Sequence, residues 1–512
     1  SSHKSSHNCR GYGVNSDESS ASSRSARVNE TIAAMSKTDS NVNKLVNNEI
    51  TFGVIGGGVI GGGWVARFLL MGFDVNVFDT DPQAQRKIKQ MLENARRSMP
   101  GLFEYLLPEE GQLTFCSTIR DAVSSADWIC ESIPERLALK QSVYDEIQAH
   151  CPEDAIIASS TSGFKPSELQ VNSSRPEQII VAHPFNPVYL IPLVELVGNI
   201  KTTERAAVVI SQLGMHPLTV RKEIDAHIAD RLLEAVWREG LWLVNDGIAT
   251  TQEIDDAIRY GFGLRWAQMG MFETYRIAGG ESGMAHFIQQ FGPALEWPWT
   301  KLMNVPELTD ELIDKIASQS DEQSGQYSIK ELEHIRDDNL VAMMRALKLK
   351  NWGAGNLLNK IDHELEAKAV EPQTTLTQSA SVLTVSRVVP SSWIDFNGHM
   401  NDSHYAEVFS KASDIILRRL GADPEYVARG YSFFTVDMKI DYINECHAGE
   451  QVFAFTTIKL AKGKKLDLYH EMKNAQGTVC ATGSQFLLHV DLNSRKSCPP
   501  LEPVASALEG LD

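Results

Sequence analysis

The run Gly56-Gly57-Gly58-Val59-Ile60-Gly61 constrains this chain more than any other stretch. It follows the apolar segment ITFGVI and opens the helical stretch WVARFLLMGF, after which DVNVFD reads as a second strand ending in Asp79. A glycine turn between a buried strand and a helix lets backbone approach a phosphate closely, and the amides at the helix start then hold the anion. A carboxylate about 20 residues further on accepts the ribose hydroxyls and repels the extra phosphate of NADP. The spacing therefore predicts an NAD site, with Gly56, Gly57, Gly58, Val59, Ile60 and Gly61 under the pyrophosphate and Asp79 on the ribose. The glycines alone would say little among 35 in the chain. The strand before them, the helix after them and the acid beyond make the pattern specific.

Short apolar runs continue to alternate with helical stretches (DWICESI, AIIASST, QIIVAHPF), which implies βαβ units and a parallel sheet. Residues 49–224 thus read as a Rossmann-type α/β domain. Residues 225–361 turn helical, as in DRLLEAVWREGLWLVNDG, and read as an all-helical substrate and dimerisation domain. Residues 362–380 (DHELEAKAVEPQTTLTQSA) read as a linker. From 381 to 497, five alternating runs are interrupted by one long helix, HYAEVFSKASDIILRRLG, the pattern of an α+β domain. Residues 498–512 read as a tail. Residues 1–48 are rich in serine and asparagine without an apolar period, the composition of a disordered extension. A chain of 512 residues suits three such domains.

The formal charge of −18 disfavours nucleic acid, whose phosphates an acidic surface repels. No stretch is long and apolar enough for a membrane span. Seven cysteines without a C-x-x-C pair read as reduced thiols of a cytoplasmic protein. His399, His404 and Asp395 lie close in sequence, but a spacing of five does not put both histidines on one helical face, so no metal is expected.

His183 in HPFNP and Glu195 in LVELV are candidates for the chemistry that removal of hydride from a secondary alcohol requires, with a core histidine beside a strand-end glutamate as the competing role. An imidazole takes the hydroxyl proton near neutral pH, and a carboxylate behind it fixes the tautomer. With VIGGGVIGGG, ESIPERLALK, SSTSGF, HPFNP and LVELV in this order, residues 49 to about 350 resemble the 3-hydroxyacyl-CoA dehydrogenase superfamily. The resemblance implies His183 as base, Glu195 as its partner and Ser162 on the substrate hydroxyl. It places Asn186 in the nicotinamide and substrate pocket, and Glu135 and Lys140 on the cofactor side; those two also fit an ordinary helix ion pair. Where acyl-CoA relatives have an asparagine, this chain reads IDAHIADR and places Asp230. With the aromatic-rich GFGLRWAQMGMFETY this version resembles the L-carnitine dehydrogenase branch, which oxidises a free 3-hydroxy acid bearing a trimethylammonium group. Asp230 and rings such as Trp266, Trp237, Phe272 and Tyr275 are then candidates to hold that cation. Helix packing for the rings, and capping or pairing with Arg231 for Asp230, are the competing roles. The 3-hydroxyacyl-CoA enzymes remain the alternative, with RKIKQMLENARR toward CoA phosphates, and a non-catalytic NAD-binding scaffold is the reading from another class.

Downstream, WIDFNGHMN precedes the long helix, and residues 381 to about 495 resemble a hotdog-fold thioesterase of the 4-hydroxybenzoyl-CoA type. The resemblance implies Asp395 as the catalytic carboxylate, acting as nucleophile or as base for water, with a capping acid in a glycine turn as the competing role. Helix-start amides would polarise the thioester carbonyl, and His399 and Asn401 would shape the turn. Together the resemblances imply a homodimer without nucleic-acid or membrane partners. Its substrates would be L-carnitine, oxidised to 3-dehydrocarnitine, and betainyl-CoA, hydrolysed to glycine betaine.

Overall fold

The computed structural model describes residues 44, 49–278, 283–293, 304, 307, 309–369 and 376–511. Apart from Lys44, the extension expected over residues 1–48 lies outside the described residues. Eight strands form the first sheet: β1 (Phe52–Ile55), β2 (Val75–Phe78), β3 (Leu113–Phe115), β4 (Trp128–Glu131), β5 (Ile156–Ser159), β6 (Ile179–Pro184), β7 (Leu193–Val197) and β8 (His216–Thr219). Their order is β3-β2-β1-β4-β5-β6-β7-β8. Pairing is parallel as far as β6, then antiparallel between β6 and β7. The reversal departs from the wholly parallel expectation, and chain length explains it. Residues 185–192 are too few for a right-handed crossover, which needs a dozen or more. The register of that hairpin sets His183 directly opposite Glu195.

Helix α1 (Val59–Leu70) covers the sheet, with Phe68 stacked 3.9 Å from Phe52. Full burial of a ring of this kind contributes about 1.5–3 kcal/mol. Arg67, also buried, donates to the carbonyls of Leu213, Tyr189 and Gly214, tying α1 to the segments after β6 and before β8. Burial pushes its guanidinium down to about 9.

The helical region divides in two. Helices α2 (Ala229–Asn245), α3 (Gly263–Ala278) and α4 (Asp310–Ser324) leave Leu232, Leu233, Trp237, Phe272 and Ile313 exposed. Helices α5 (Ile329–Lys348) and α6 (Ala354–Ala369) instead return to the first core, where Val341, Met344, Leu358, Ile361 and Leu365 join the residues around β1. Residues 362–369, expected as the start of the linker, are therefore helix. Leu358, Ile361 and Leu365 continue a helical apolar period inside a stretch whose charges read as solvated. Asp362 accepts from the Glu104 amide at 2.7 Å and pairs with Lys348. Residues 370–375 lie outside the described residues.

The second sheet contains β9 (Ser381–Val388), β10 (Tyr431–Tyr442), β11 (Gln451–Lys462), β12 (Lys465–Asn474), β13 (Val479–Asp491) and the short β14 (Lys496–Ser497). It is antiparallel in the order β10-β13-β12-β11-β9, with β14 on β13. Helix α7 (Asp402–Arg419) lies across it. Phe409 presses on Gly483, where an added Cβ would sit 2.7 Å from the ring. This is the hotdog arrangement expected from the sequence. The expected tail is part of it: α8 (Val504–Glu509) buries Val504 and Leu508, and Leu511 is buried beside them.

Candidate active sites

At the end of β6, His183 is 4% exposed and its Nδ1 lies 3.1 Å from Glu195 Oε1. A carboxylate only accepts, so Nδ1 is the donor, and in the neutral ring the Nε2 lone pair faces outward. Nε2 meets Ser162 Oγ at 3.2 Å and Asp230 Oδ2 at 3.7 Å. Glu195 is fully buried, and its second oxygen accepts from the amides of Ile228 and Ala229 at 2.8 and 3.0 Å. Burial pushes the Glu195 carboxyl up, but the His183 ring and those two amides outweigh it and hold it below the usual carboxylate range. The two amides belong to the start of α2, whose dipole favours a negative charge there.

A residue absent from the sequence reading builds this corner. Ala226 and His227 both take left-handed backbone conformations, φ 60° and 52°, which turn the chain so that the next two amides reach Glu195. His227 is fully buried, its Nε2 3.1 Å from the Thr161 carbonyl and its ring 5.5 Å from that of His183. Burial pushes His227 toward the neutral form. The segment bearing Ser162 is thereby fastened to the segment bearing Asp230. The signal available in the sequence was a histidine three residues before Asp230, set between Ala226 and Ile228 in IDAHIAD.

The nucleotide end fits the expected cofactor. Gly56 has φ 95°, and a Cβ there would lie 2.6 Å from the Ser132 carbonyl; one at Gly61 would lie 1.8 Å from the Gly56 oxygen. Gly58 opens α1 with no side-chain cap, and nothing lies within 4 Å of where its Cβ would be. That open cradle at uncapped helix amides suits a pyrophosphate. Val59 and Ile60 form the first turn above it. Asp79 follows β2 as expected, its Oδ2 accepting the Gly57 amide at 2.5 Å and its Oδ1 the Asp81 amide at 2.7 Å. Each oxygen retains one lone pair, so the acid shapes the glycine turn and still presents acceptors.

Other expected residues are placed differently. Lys140 is 1% exposed and pairs with Glu131 at 2.7 Å, and with Glu135 at 3.3 Å. Glu131, unnoticed in the sequence, is fully buried and also accepts from Tyr144 and Ser159 at 2.5 and 2.6 Å. Lys140 thus neutralises a buried acid, while exposed Glu135 accepts from the Thr161 hydroxyl beside Ser162. Asn186 is exposed just beyond β6. Trp266 packs on Phe262 at 4.7 Å and Tyr275 on Phe287 at 4.8 Å.

In the second domain Asp395 occupies a tight turn closed by its own amide on the His399 carbonyl at 3.1 Å, with Gly398 at φ 86°. Its Oδ1 accepts from the Asn397 amide at 2.8 Å and its Oδ2 faces Asn401 Nδ2 at 3.4 Å. Asn401 also caps α7, accepting from the Ser403 amide at 3.1 Å. One helix-start amide expected for the thioester carbonyl is thus taken by the cap. His399 Nε2 stands 3.9 Å from Glu445, and Phe396 on the same turn is 98% exposed.

Residues 51–224 match the family described as 3-hydroxyacyl-CoA dehydrogenase, NAD binding domain, and 227–325 its C-terminal domain. Residues 389–508 match the thioesterase-like superfamily. NAD is accordingly the cofactor. An L-carnitine dehydrogenase/betainyl-CoA thioesterase of Ruegeria pomeroyi is 58% identical over 462 residues, 90% of this chain and 95% of that protein. Its namesake in Agrobacterium fabrum is 51% identical over 458 residues, 90% and 94% of the two chains. An L-carnitine dehydrogenase of Mesorhizobium japonicum is 57% identical over 332 residues, 63% of this chain and 91% of that protein. The chain belongs to the 3-hydroxyacyl-CoA dehydrogenase superfamily, in the family of L-carnitine dehydrogenase/betainyl-CoA thioesterase fusions.

Proposed function

We propose that the first two domains oxidise L-carnitine at its 3-hydroxyl to 3-dehydrocarnitine, and that the hotdog domain hydrolyses betainyl-CoA to glycine betaine and CoA. The observation that carries the first half is the His183–Glu195 pair with its proton on Nδ1. It leaves a lone pair on Nε2 beside Ser162. Ser162 holds the substrate hydroxyl, Nε2 takes its proton, and Glu195 stabilises the imidazolium that forms. NAD would supply the hydride acceptor for this oxidation. Gly56–Gly61 hold its pyrophosphate and Asp79 its ribose, while Glu135 acts on the cofactor side through the Thr161–Ser162 segment. Asn186, exposed just beyond β6, would line the nicotinamide and substrate pocket. Asp230, beside the base, faces the trimethylammonium group, with Trp266 among the candidate rings.

In the second half Asp395 is the nucleophile or general base, held by the Asn397 amide and Asn401. The exposed Asp395 turn and the apolar residues exposed on α2 to α4 support a homodimer in which a second copy completes both sites. The same reading places the enzyme in the cytoplasm, where NAD and CoA thioesters are at hand. A paired assay tests it. His183→Ala should lower the turnover of carnitine, followed as NADH, by about 10²-fold or more. Asp395→Asn should abolish CoA release and leave carnitine oxidation within about twofold, because the sites lie on separate domains. Near-full carnitine turnover in folded His183→Ala, or CoA release in Asp395→Asn, would sink the respective half.

A further inference from the structure

The dehydrogenase body grips the hotdog domain along residues 386–393, and that segment runs straight into the Asp395 turn. The Leu106 amide donates to the Ser386 carbonyl at 3.0 Å. Arg387, 2% exposed, pairs with Glu104 at 2.5 Å. The same carboxylate meets Arg345 and Lys348 of α5 at 3.4 and 3.2 Å. The Ser391 hydroxyl donates to Asp338 at 3.1 Å, itself paired with Arg97. Burial pushes the Glu104 carboxyl up, but Arg387, Arg345 and Lys348 together hold it well below the carboxylate range.

From Arg387 the contact continues to the turn. Its guanidinium lies 3.9 Å over the Trp393 ring, and the indole also stacks at 4.6 Å on His404 in the first turn of α7. The Asn401 amide donates to the Trp393 carbonyl at 2.9 Å. Trp393 thus holds both ends of the loop containing Asp395. Arg387 Nε and Nη2 are buried without a hydrogen-bond partner among the described residues. Glu104 and the indole are what hold that cation in place.

We propose that Glu104 and Arg387 are positioning residues for thioester hydrolysis, through which the dehydrogenase body sets the conformation of the Asp395 turn. The proposal rests on reading Asp395 as the catalytic carboxylate. Removing Glu104 leaves a buried guanidinium without its counter-charge, and it must move to find water. Arg387→Lys retains the charge but not the flat guanidinium that covers the indole.

The experiment uses the full chain. In Glu104→Gln, the kcat for betainyl-CoA hydrolysis should fall by about tenfold or more with KM nearly unchanged, because a small misplacement of a reacting group costs rate before binding. Carnitine oxidation should remain within about twofold in the same preparation, since Glu104 does not touch that site. Amide hydrogen exchange across 393–401 should quicken about tenfold while β12 and β13 keep their protection. Arg387→Lys should show the same pattern more weakly and serves if Glu104→Gln does not fold. Unchanged exchange over 393–401 in a folded variant overturns the proposal, as does parallel loss of both activities with protection falling everywhere. If wild-type protein oxidises carnitine but releases no CoA, the thioesterase reading fails by itself. The exchange measurement then still decides whether Glu104 controls the turn.

Discussion

Exchanging Glu195 for glutamine would test the carnitine site at its most buried charge. The carboxylate accepts three bonds, one from His183 Nδ1 and two from the amides of Ile228 and Ala229. Glutamine has one oxygen and one NH2. With the oxygen kept on the two amides at the start of α2, the NH2 points at Nδ1, which must then accept. The ring proton moves to Nε2, where Ser162 Oγ and Asp230 Oδ2 are both able to receive it. The outward lone pair is gone, and with it the base. In a triad histidine whose acid becomes an amide, this wrong tautomer costs about 10⁴-fold in kcat. We expect roughly 10³-fold here, about 4 kcal/mol of barrier. The lost charge-assisted bonds should lower stability by about 1–3 kcal/mol.

Sign follows from the direction of the Glu195 shift. Its carboxyl is held below the ordinary 4.5, so its contribution to stability is present above that value and is lost as pH falls through the lower folded value. Wild type should therefore lose stability in acid more steeply than Glu195→Gln. Thermal melts against pH and NADH production at neutral pH measure both quantities. A folded Glu195→Gln protein with turnover within about threefold of wild type would refute the tautomer argument.

Asp79→Ala should raise the KM for NAD by about tenfold and relax discrimination against NADP, while Asp79→Asn should relax discrimination and still accept the Gly57 amide. Kinetics on both cofactors separate those two roles. A chain ending after Ala369 should retain carnitine oxidation, whereas one ending after Ile361 loses buried Leu365 and should melt several degrees lower, by about 2–5 kcal/mol. Asp230→Asn should raise the KM for carnitine by about tenfold, at least ~1.4 kcal/mol, with a smaller effect on uncharged 3-hydroxybutyrate. Equal losses on both substrates would assign Asp230 to the base or the fold.

Much of this architecture was legible because local pattern and tertiary role coincide. The glycine turn, Asp79 and the His183–Glu195 pair each follow from residue type at a strand end, and strand ends are where open α/β sheets place ligands. Legibility failed where charge masked packing. DHELEAK reads as linker by composition, yet Asp362 and Leu365 face the core while His363 and Glu364 face water. The resemblance puts Lys140 on the cofactor side, while its buried pairing with Glu131 joins two different elements, which no local spacing reveals. His227 was missed for a similar reason. Its importance comes from two left-handed residues that bring segments 161–163 and 226–230 together, and neither residue is glycine.

On the proposed reading Asp230 is one carboxylate that serves chemistry and specificity together. It is 3.7 Å from His183 Nε2 and 15% exposed, while buried Glu195 stands on the opposite side of the ring. Two carboxylates flank one imidazole, and both favour the positive charge that forms when the hydroxyl proton is taken. At an effective dielectric constant near 20, opposite charges about 4 Å apart attract by about 4 kcal/mol, less where water reaches the pair. A trimethylammonium group has no N–H to donate, so near Asp230 it is held by that field and by aromatic faces alone. The field it feels is then shared with the imidazolium, and binding of the cation offsets part of the help Asp230 gives the base. A cationic substrate should therefore bind more tightly than an uncharged one and gain less than its full binding energy in turnover. An asparagine at this position removes both effects at once. For that reason the KM for carnitine and the kcat for an uncharged analogue, measured side by side, separate the cation from the proton.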